Sequence, residues 1–113
     1  MKIGRREHGS IVIIEPKGKV TIGEGDVLLR EEITRLLTED KKQLILDLSG
    51  VSYMDSAGVG ELASVYTSVK NRGGELKLSC LTKKIKDLLQ ITQLMTIFDT
   101  FEDTSEAIAS FSK

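Results

Sequence analysis

Apolar residues along this chain recur with two periods, and the switches between them mark out the elements. Ser10-Ile11-Val12-Ile13-Ile14-Glu15 is a β-branched run that predicts a strand, closed by Pro16, the only proline, because proline lacks the N–H a ladder needs. His8-Gly9 turns the chain back onto an N-terminal strand around Met1 to Glu7, and Gly18-Lys19-Val20-Thr21-Ile22 predicts a further short strand. Gly23-Glu24-Gly25-Asp26 reads as a loop with Asp26 as N-cap. Leu29, Ile33, Leu36 and Leu37 then fall at i, i+4, i+7 and i+8, one stripe of a helix over about Val27 to Thr38.

Gln43-Leu44-Ile45-Leu46-Asp47-Leu48 has the density of a strand buried on both faces. A turn over residues 49–56 leads to a helix from about Ala57 to Arg72, with Val59, Leu62, Ala63, Tyr66 and Val69 inward and Gly73-Gly74 as its stop. Glu75 to Cys80 reads as a strand. Thr82 caps a helix over roughly Lys83 to Thr92, Ile97 to Phe101 reads as a last strand, and Asp103 with Glu106 opens a terminal helix through about Phe111. From Val27 onward helices and strands alternate, which implies parallel strands joined by right-handed crossovers in an α/β layer fold.

Length and composition narrow the function classes. The 113 residues suit one domain over 1–113 and carry enough apolar surface for a core. Sixteen Lys plus Arg against 17 Asp plus Glu give a net charge of −1, without the basic excess of a nucleic-acid binder. One cysteine excludes an internal disulfide and fits a reducing, cytoplasmic setting. The basic N-terminus has no apolar stretch behind it, so no secretory signal is expected, and no run nears the roughly 20 apolar residues of a membrane span.

The segment with most chemistry is Asp47-Leu48-Ser49-Gly50-Val51-Ser52-Tyr53-Met54-Asp55-Ser56-Ala57-Gly58-Val59-Gly60, between a buried strand and a helix. Partners and ligands of open α/β sheets dock at that edge. Asp55-Ser56 falls at the helix start, where both residues are favoured simply as caps. Capping is compatible with a second role. A phosphate on Ser56 would bring roughly −1.5 to −2 charges to a helix N-terminus, which tolerates anions, so it would alter a partner surface without unfolding the domain.

Other chemistries fit these residues less well. Gly58-Val59-Gly60-Glu61-Leu62-Ala63 matches the dinucleotide fingerprint, but its glycines fall inside the helix, and Ser79-Cys80-Leu81 lacks the ribose-binding acid. Ser56 has no general base, since the sole histidine, His8, belongs to the N-terminal hairpin. Cys80 reads as a small core residue. No zinc spacing, Walker sequence or early acidic pair of a receiver domain occurs. No catalytic residue, cofactor or metal is expected.

The Asp47–Gly60 segment closely resembles the phosphorylation segment of STAS-domain anti-sigma factor antagonists, in which the serine of Asp-Ser-[Ser/Ala]-Gly is phosphorylated; Ser56 matches it. Ile91 to Asp99 followed by Glu106-Ala107-Ile108 is similar to the family's ending, and the match covers roughly residues 10–111. The resemblance implies a STAS fold: a central mixed sheet of about five strands with four to five helices packed on it. It also implies a non-enzymatic partner switch. The unphosphorylated protein, a monomer or weak dimer, would bind an ATP-dependent anti-sigma factor serine kinase, lose that binding when Ser56 is phosphorylated, and be reset by a serine phosphatase. Asp55, Ser56, Ala57, Gly58, Val59 and Glu61 are the implied partner-binding residues, with Glu24 and Asp26 added from the loop before the first helix. Gly18-Lys19-Val20-Thr21 departs from the acidic pattern of relatives. The alternative is a STAS scaffold or accessory subunit of a stress-signalling complex or of another partner switch.

Overall fold

In the computed structural model, which describes residues 2–111, one mixed sheet runs through the molecule. In chain order the elements are β1 (Lys2–His8), β2 (Ile11–Val20), α1 (Asp26–Thr38), β3 (Gln43–Asp47), β4 (Val51–Met54), α2 (Ser56–Asn71), β5 (Glu75–Ser79), α3 (Lys83–Ile91), β6 (Asp99–Phe101) and α4 (Thr104–Ser110), with a 3-10 turn at Leu94–Thr96. The strand order is β1-β2-β3-β5-β6. Among the described strands only the β1–β2 hairpin is antiparallel; β3, β5 and β6 follow in parallel, as their helical crossovers require, and β4 lies parallel to β2.

Alternation along the strands separates two faces. Val12 and Ile14 of β2, Leu44 and Leu46 of β3, and Leu76 and Leu78 of β5 point to the face covered by α1, α2 and α3 and are all buried there. Ile11, Ile13 and Ile45 point to the other face, where Ala107, Ile108 and Phe111 close a smaller core. That second face turns polar towards β5. Lys77 is buried there, donates to Ser110 Oγ at 2.6 Å and lies over the Phe111 ring at 4.2 Å. Asp47 and Ser79 meet Thr104 at the start of α4, at 3.3 and 2.9 Å. Four amphipathic helices cover this sheet among the described residues.

Three expectations about element limits are corrected. Pro16 does not end a strand: β2 runs through it to Val20. β2 pairs with β3 over Ile11–Ile14 and with β4 over Gly18–Val20, so it changes neighbour at the proline. Because the Gly18 N–H reaches Gly50 O at 2.9 Å, the nitrogen two residues earlier faces the same side, in the gap between those neighbours, where no donor is needed. The expected turn over residues 49–56 contains β4, so with the segments at 10–15 and 18–22 joined in β2 the sheet has six strands. Asp26 is the first residue of α1 rather than its cap; Gly25, at φ +89°, holds the cap position. The N-terminal strand starts at Lys2 within the described residues; Met1 lies outside them.

Leu46 lies on the central strand and has no exposed surface. Leu46→Ala is expected to cost about 2–5 kcal/mol, the range for emptying a close-packed leucine site. In urea melts this should appear as a lower midpoint with an unchanged m-value.

Candidate functional site

The site is assembled where the C-terminal ends of β2 and β4 meet the start of α2. Asp55 is in extended backbone and caps the helix: its Oδ1 accepts from the Gly58 N–H at 2.9 Å. Its Oδ2 accepts from the Ile22 N–H at 3.2 Å, so the same carboxylate holds the β2–α1 loop against the helix start. The Gly58 N–H, with the Ile22 N–H assisting, keeps the Asp55 carboxyl below the ordinary carboxylate range. Asp55 is therefore ionised at neutral pH and fixed in place. Ser56, next along, is the first residue of α2 and is exposed, with its hydroxyl in no hydrogen bond among the described residues.

Gly58 explains why the helix can start so close to the sheet. A Cβ at this position would lie 2.1 Å from Val20 O and 2.7 Å from Met54 Cγ, distances that no side chain tolerates without a backbone shift. Gly60, two residues on, faces open space with nothing within 4 Å. The two glycines thus differ in kind: one admits the sheet, and the other leaves a low spot on the exposed side beside Ser56.

The other expected site residues divide by burial. Ala57 is half-buried beside Ser56, whereas Gly58, Val59 and Glu61 are buried, which places them behind the surface rather than on it. Glu24 is exposed at the tip of a tight turn whose backbone pairs with Thr21. Asp26 turns inward, with Oδ1 accepting from the Gly23 N–H at 3.1 Å and the Val27 N–H at 2.8 Å, so its carboxylate shapes the loop. The Ile22–Asp55 bond brings this loop and Asp55-Ser56 to one edge. His8 ends β1 on the exposed hairpin, and half-buried Cys80 has its Sγ 3.6 Å from Thr104 Oγ1. No group of three or more potential metal ligands occurs among the described residues.

Glu61 is the unexpected member. It sits in the seam between α1 and α2, only 8% exposed, with Oε1 3.4 Å from Arg30 Nη1 and Oε2 without a hydrogen-bond partner among the described residues. Burial pushes its carboxyl up, Arg30 draws it back, and the Asp26 charge adds to the rise. Glu61 was expected on the contact surface and is instead buried, whereas sequence reading missed Ile22, 77% exposed on the rim beside Asp55, and Tyr53, 51% exposed on β4. The signal for Ile22 was available: an aliphatic residue followed at once by Gly-Glu-Gly lies beyond the ladder that would bury it.

With this geometry, a serine presented at a helix start by a capping aspartate at a parallel sheet edge, the chain can be compared with known proteins. The family model of the STAS domain matches residues 2–107. The chain belongs to the STAS domain family. Bacillus subtilis anti-sigma-B factor antagonist is 41% identical over 81 residues, covering 68% of this chain and 73% of that protein. Among solved structures, an anti-sigma factor antagonist from Mycobacterium paratuberculosis superposes with a TM-score of 0.88 at 16% identity, over 99% of this chain and 94% of that one. Bacillus SpoIIAA superposes in its phosphorylated form with a TM-score of 0.76 at 18% identity, over 97% and 99% of the two chains. Its unphosphorylated form gives 0.74 at 17% identity, over 98% of each. These likenesses bear out the expected STAS fold and the resemblance to anti-sigma factor antagonists.

Two pairs of measurements test this description of the STAS site. Gly58→Ala is expected to lose about 1–3 kcal/mol through overpacking against Val20 and Met54, while Gly60→Ala should gain up to about 1 kcal/mol from helix propensity; denaturant melts of the two variants would show opposite shifts. The raised carboxyl of Glu61 means that its ionised form opposes folding at neutral pH, and this penalty fades as pH falls through its folded pKa towards the unfolded range near about 4.3. Glu61→Gln should therefore melt a few degrees above the wild type at pH 7.5, and the gap should close as the pH of the melts is lowered towards 4.

Proposed function

We propose that this STAS protein is an anti-sigma factor antagonist that acts by partner switching, with Ser56 as its phosphorylated residue. One observation carries the reading: the exposed Ser56 hydroxyl stands at the first position of a 16-residue helix, beside a capping carboxylate fixed by two backbone donors. A serine in that position is open to another protein's active site. A phosphate there lies at the positive end of the helix dipole, so the fold accepts a charge that a packed partner would not. That SpoIIAA has been solved both with and without phosphorylation on the same fold supports a switch that leaves the architecture intact.

In this reading the unphosphorylated protein, acting as a single domain in the cytoplasm, binds an anti-sigma factor that is also an ATP-dependent serine kinase, and so releases the sigma factor. Transfer of the γ-phosphoryl group to Ser56 ends the complex, and a serine phosphatase restores it. ATP belongs to the kinase, and this chain is substrate and ligand rather than catalyst. Ser56, Ala57 and Asp55, with Glu24 from the neighbouring loop, form the contact edge, and Ile22 and Gly60 extend it. Gly58, Val59, Glu61 and Asp26 act from beneath by holding that edge in shape. Repulsion and desolvation at the interface do the switching: a dianion buried without a cation opposite it costs several kcal/mol, enough to dissolve a micromolar complex.

The test is affinity capture from a lysate of the native organism with ATP present, comparing wild type, Ser56→Ala and Ser56→Asp. Ser56→Ala is expected to retain an anti-sigma ATPase throughout, wild type to hold it until Ser56 is phosphorylated, and Ser56→Asp to lose it, with a single phosphate found by intact mass on wild type alone. The melting temperature of Ser56→Asp should stay close to that of wild type, because a carboxylate at a helix start is favourable. A partner set indifferent to Ser56 would overturn the reading.

A further inference from the structure

A groove of about 380 Å³ opens between β4 and α3. Tyr53, Met54, Ile85, Leu88 and Ile91 form most of its lining, and the polar Ser52, Thr82, Lys84 and Asp87 complete it. Two of these residues are conspicuously uncovered: Ile91 is 79% exposed and Tyr53 51%. α3 buries Ile85 and Leu89 against the sheet but turns Leu88 and Ile91 towards the groove, so its apolar stripe is wider than the core uses.

The charges at the mouth identify what fits. The first turn of α3 reads Lys83-Lys84-Ile85-Lys86 and holds no acid. Cations at a helix N-terminus oppose the dipole, so this placement works against helix stability. Asp87, the one acid lining the groove, is paired with Lys83 at 3.2 Å, and Lys86 pairs with Glu102 at 3.4 Å. Lys84, which borders the groove, is exposed and has no carboxylate partner among the described residues. An unfavourably placed, uncompensated cation at the rim of an apolar cleft is a local departure from stability rules of the kind found where a ligand supplies the missing partner. The groove lies in the size range of small-molecule sites, roughly 300–1,000 Å³.

We propose that this groove binds a small amphipathic carboxylate of the medium-chain fatty-acid type, its apolar body between Tyr53 and Ile91 and its carboxylate at Lys84. The site is separate from Ser56, and ligand binding there does not depend on the partner-switching reading. Tyr53 nonetheless belongs to the strand that leads into Asp55-Ser56, so an occupied groove alters the surface beside the switch residue.

The experiment is a ¹⁵N-HSQC titration of the whole chain with decanoate, kept below its micelle-forming concentration. Shifts clustered on Tyr53, Met54, Lys84, Leu88 and Ile91 and saturating at one site are expected. Lys84→Glu should weaken binding about tenfold or more by setting like charges together, and decanol, with the same body and no charge, should bind about tenfold more weakly than decanoate. Because Lys84 is exposed, the spectrum of the variant itself reports an intact fold. Shifts that are absent or scattered, equal binding of decanol, or an affinity indifferent to Lys84→Glu would overturn the proposal, as would groove shifts produced by a protein partner and not by decanoate.

Discussion

Burial of the central strands on both faces is the constraint on which everything else rests. Ile13, Ile14, Ile45 and Leu46 expose at most 1% of their surface, so the first half of β2 and the strand β3 beside it meet water on neither side and need helices above and below. Parallel strands cannot be joined by tight turns, and the crossovers that join them are the helices that cover them. One consequence is positional: the loops that leave β2, β4 and β5 gather at the carboxyl edge of the sheet. A site there is supported by rigid elements while its own residues remain free to meet a partner.

Within that frame the site depends on an unusually close contact. α2 starts so near the end of β2 that only a glycine fits at residue 58, with Val20 O occupying the space of a side chain. The closeness lets one carboxylate serve two loops, because Asp55 reaches both the Gly58 and the Ile22 N–H groups. Ser56 inherits its position from this arrangement. Its exposure follows from neighbours that are fixed, which is the condition under which a small covalent change is read as a change of surface and not absorbed by a rearrangement.

Much of this was legible in the residues, for reasons that also explain the rest. Long amphipathic helices and the dense strand Leu44-Ile45-Leu46 carry strong periodic signals, and Asp-Ser-Ala-Gly at a strand-to-helix junction carries a chemical one. The strand β4 was not legible: it is four residues long, and its buried ends and exposed middle do not alternate. Pro16 misled because its missing donor is harmless only where a strand changes neighbours, a tertiary fact. Glu61 misled because a glutamate on a helix ordinarily faces water, and only the approach of α1, bringing Arg30, makes its burial tolerable. Tyr53 is a rim residue whose exposure depends on where its short strand ends, which periodicity does not encode.

The two faces of the sheet are unequally protected, and this matters to anyone who extends the chain. Three helices shield one face, whereas α4 alone screens Ile11, Ile13 and Ile45 on the other, helped by a lysine ammonium lodged against the Phe111 ring at 4.2 Å. Phe111 follows directly on the last turn of α4. A fusion or tag joined too tightly behind it would pull at that aromatic clasp and uncover a sticky apolar sheet. Such a preparation would self-associate while the contacts of Asp55 at the start of α2 remained intact.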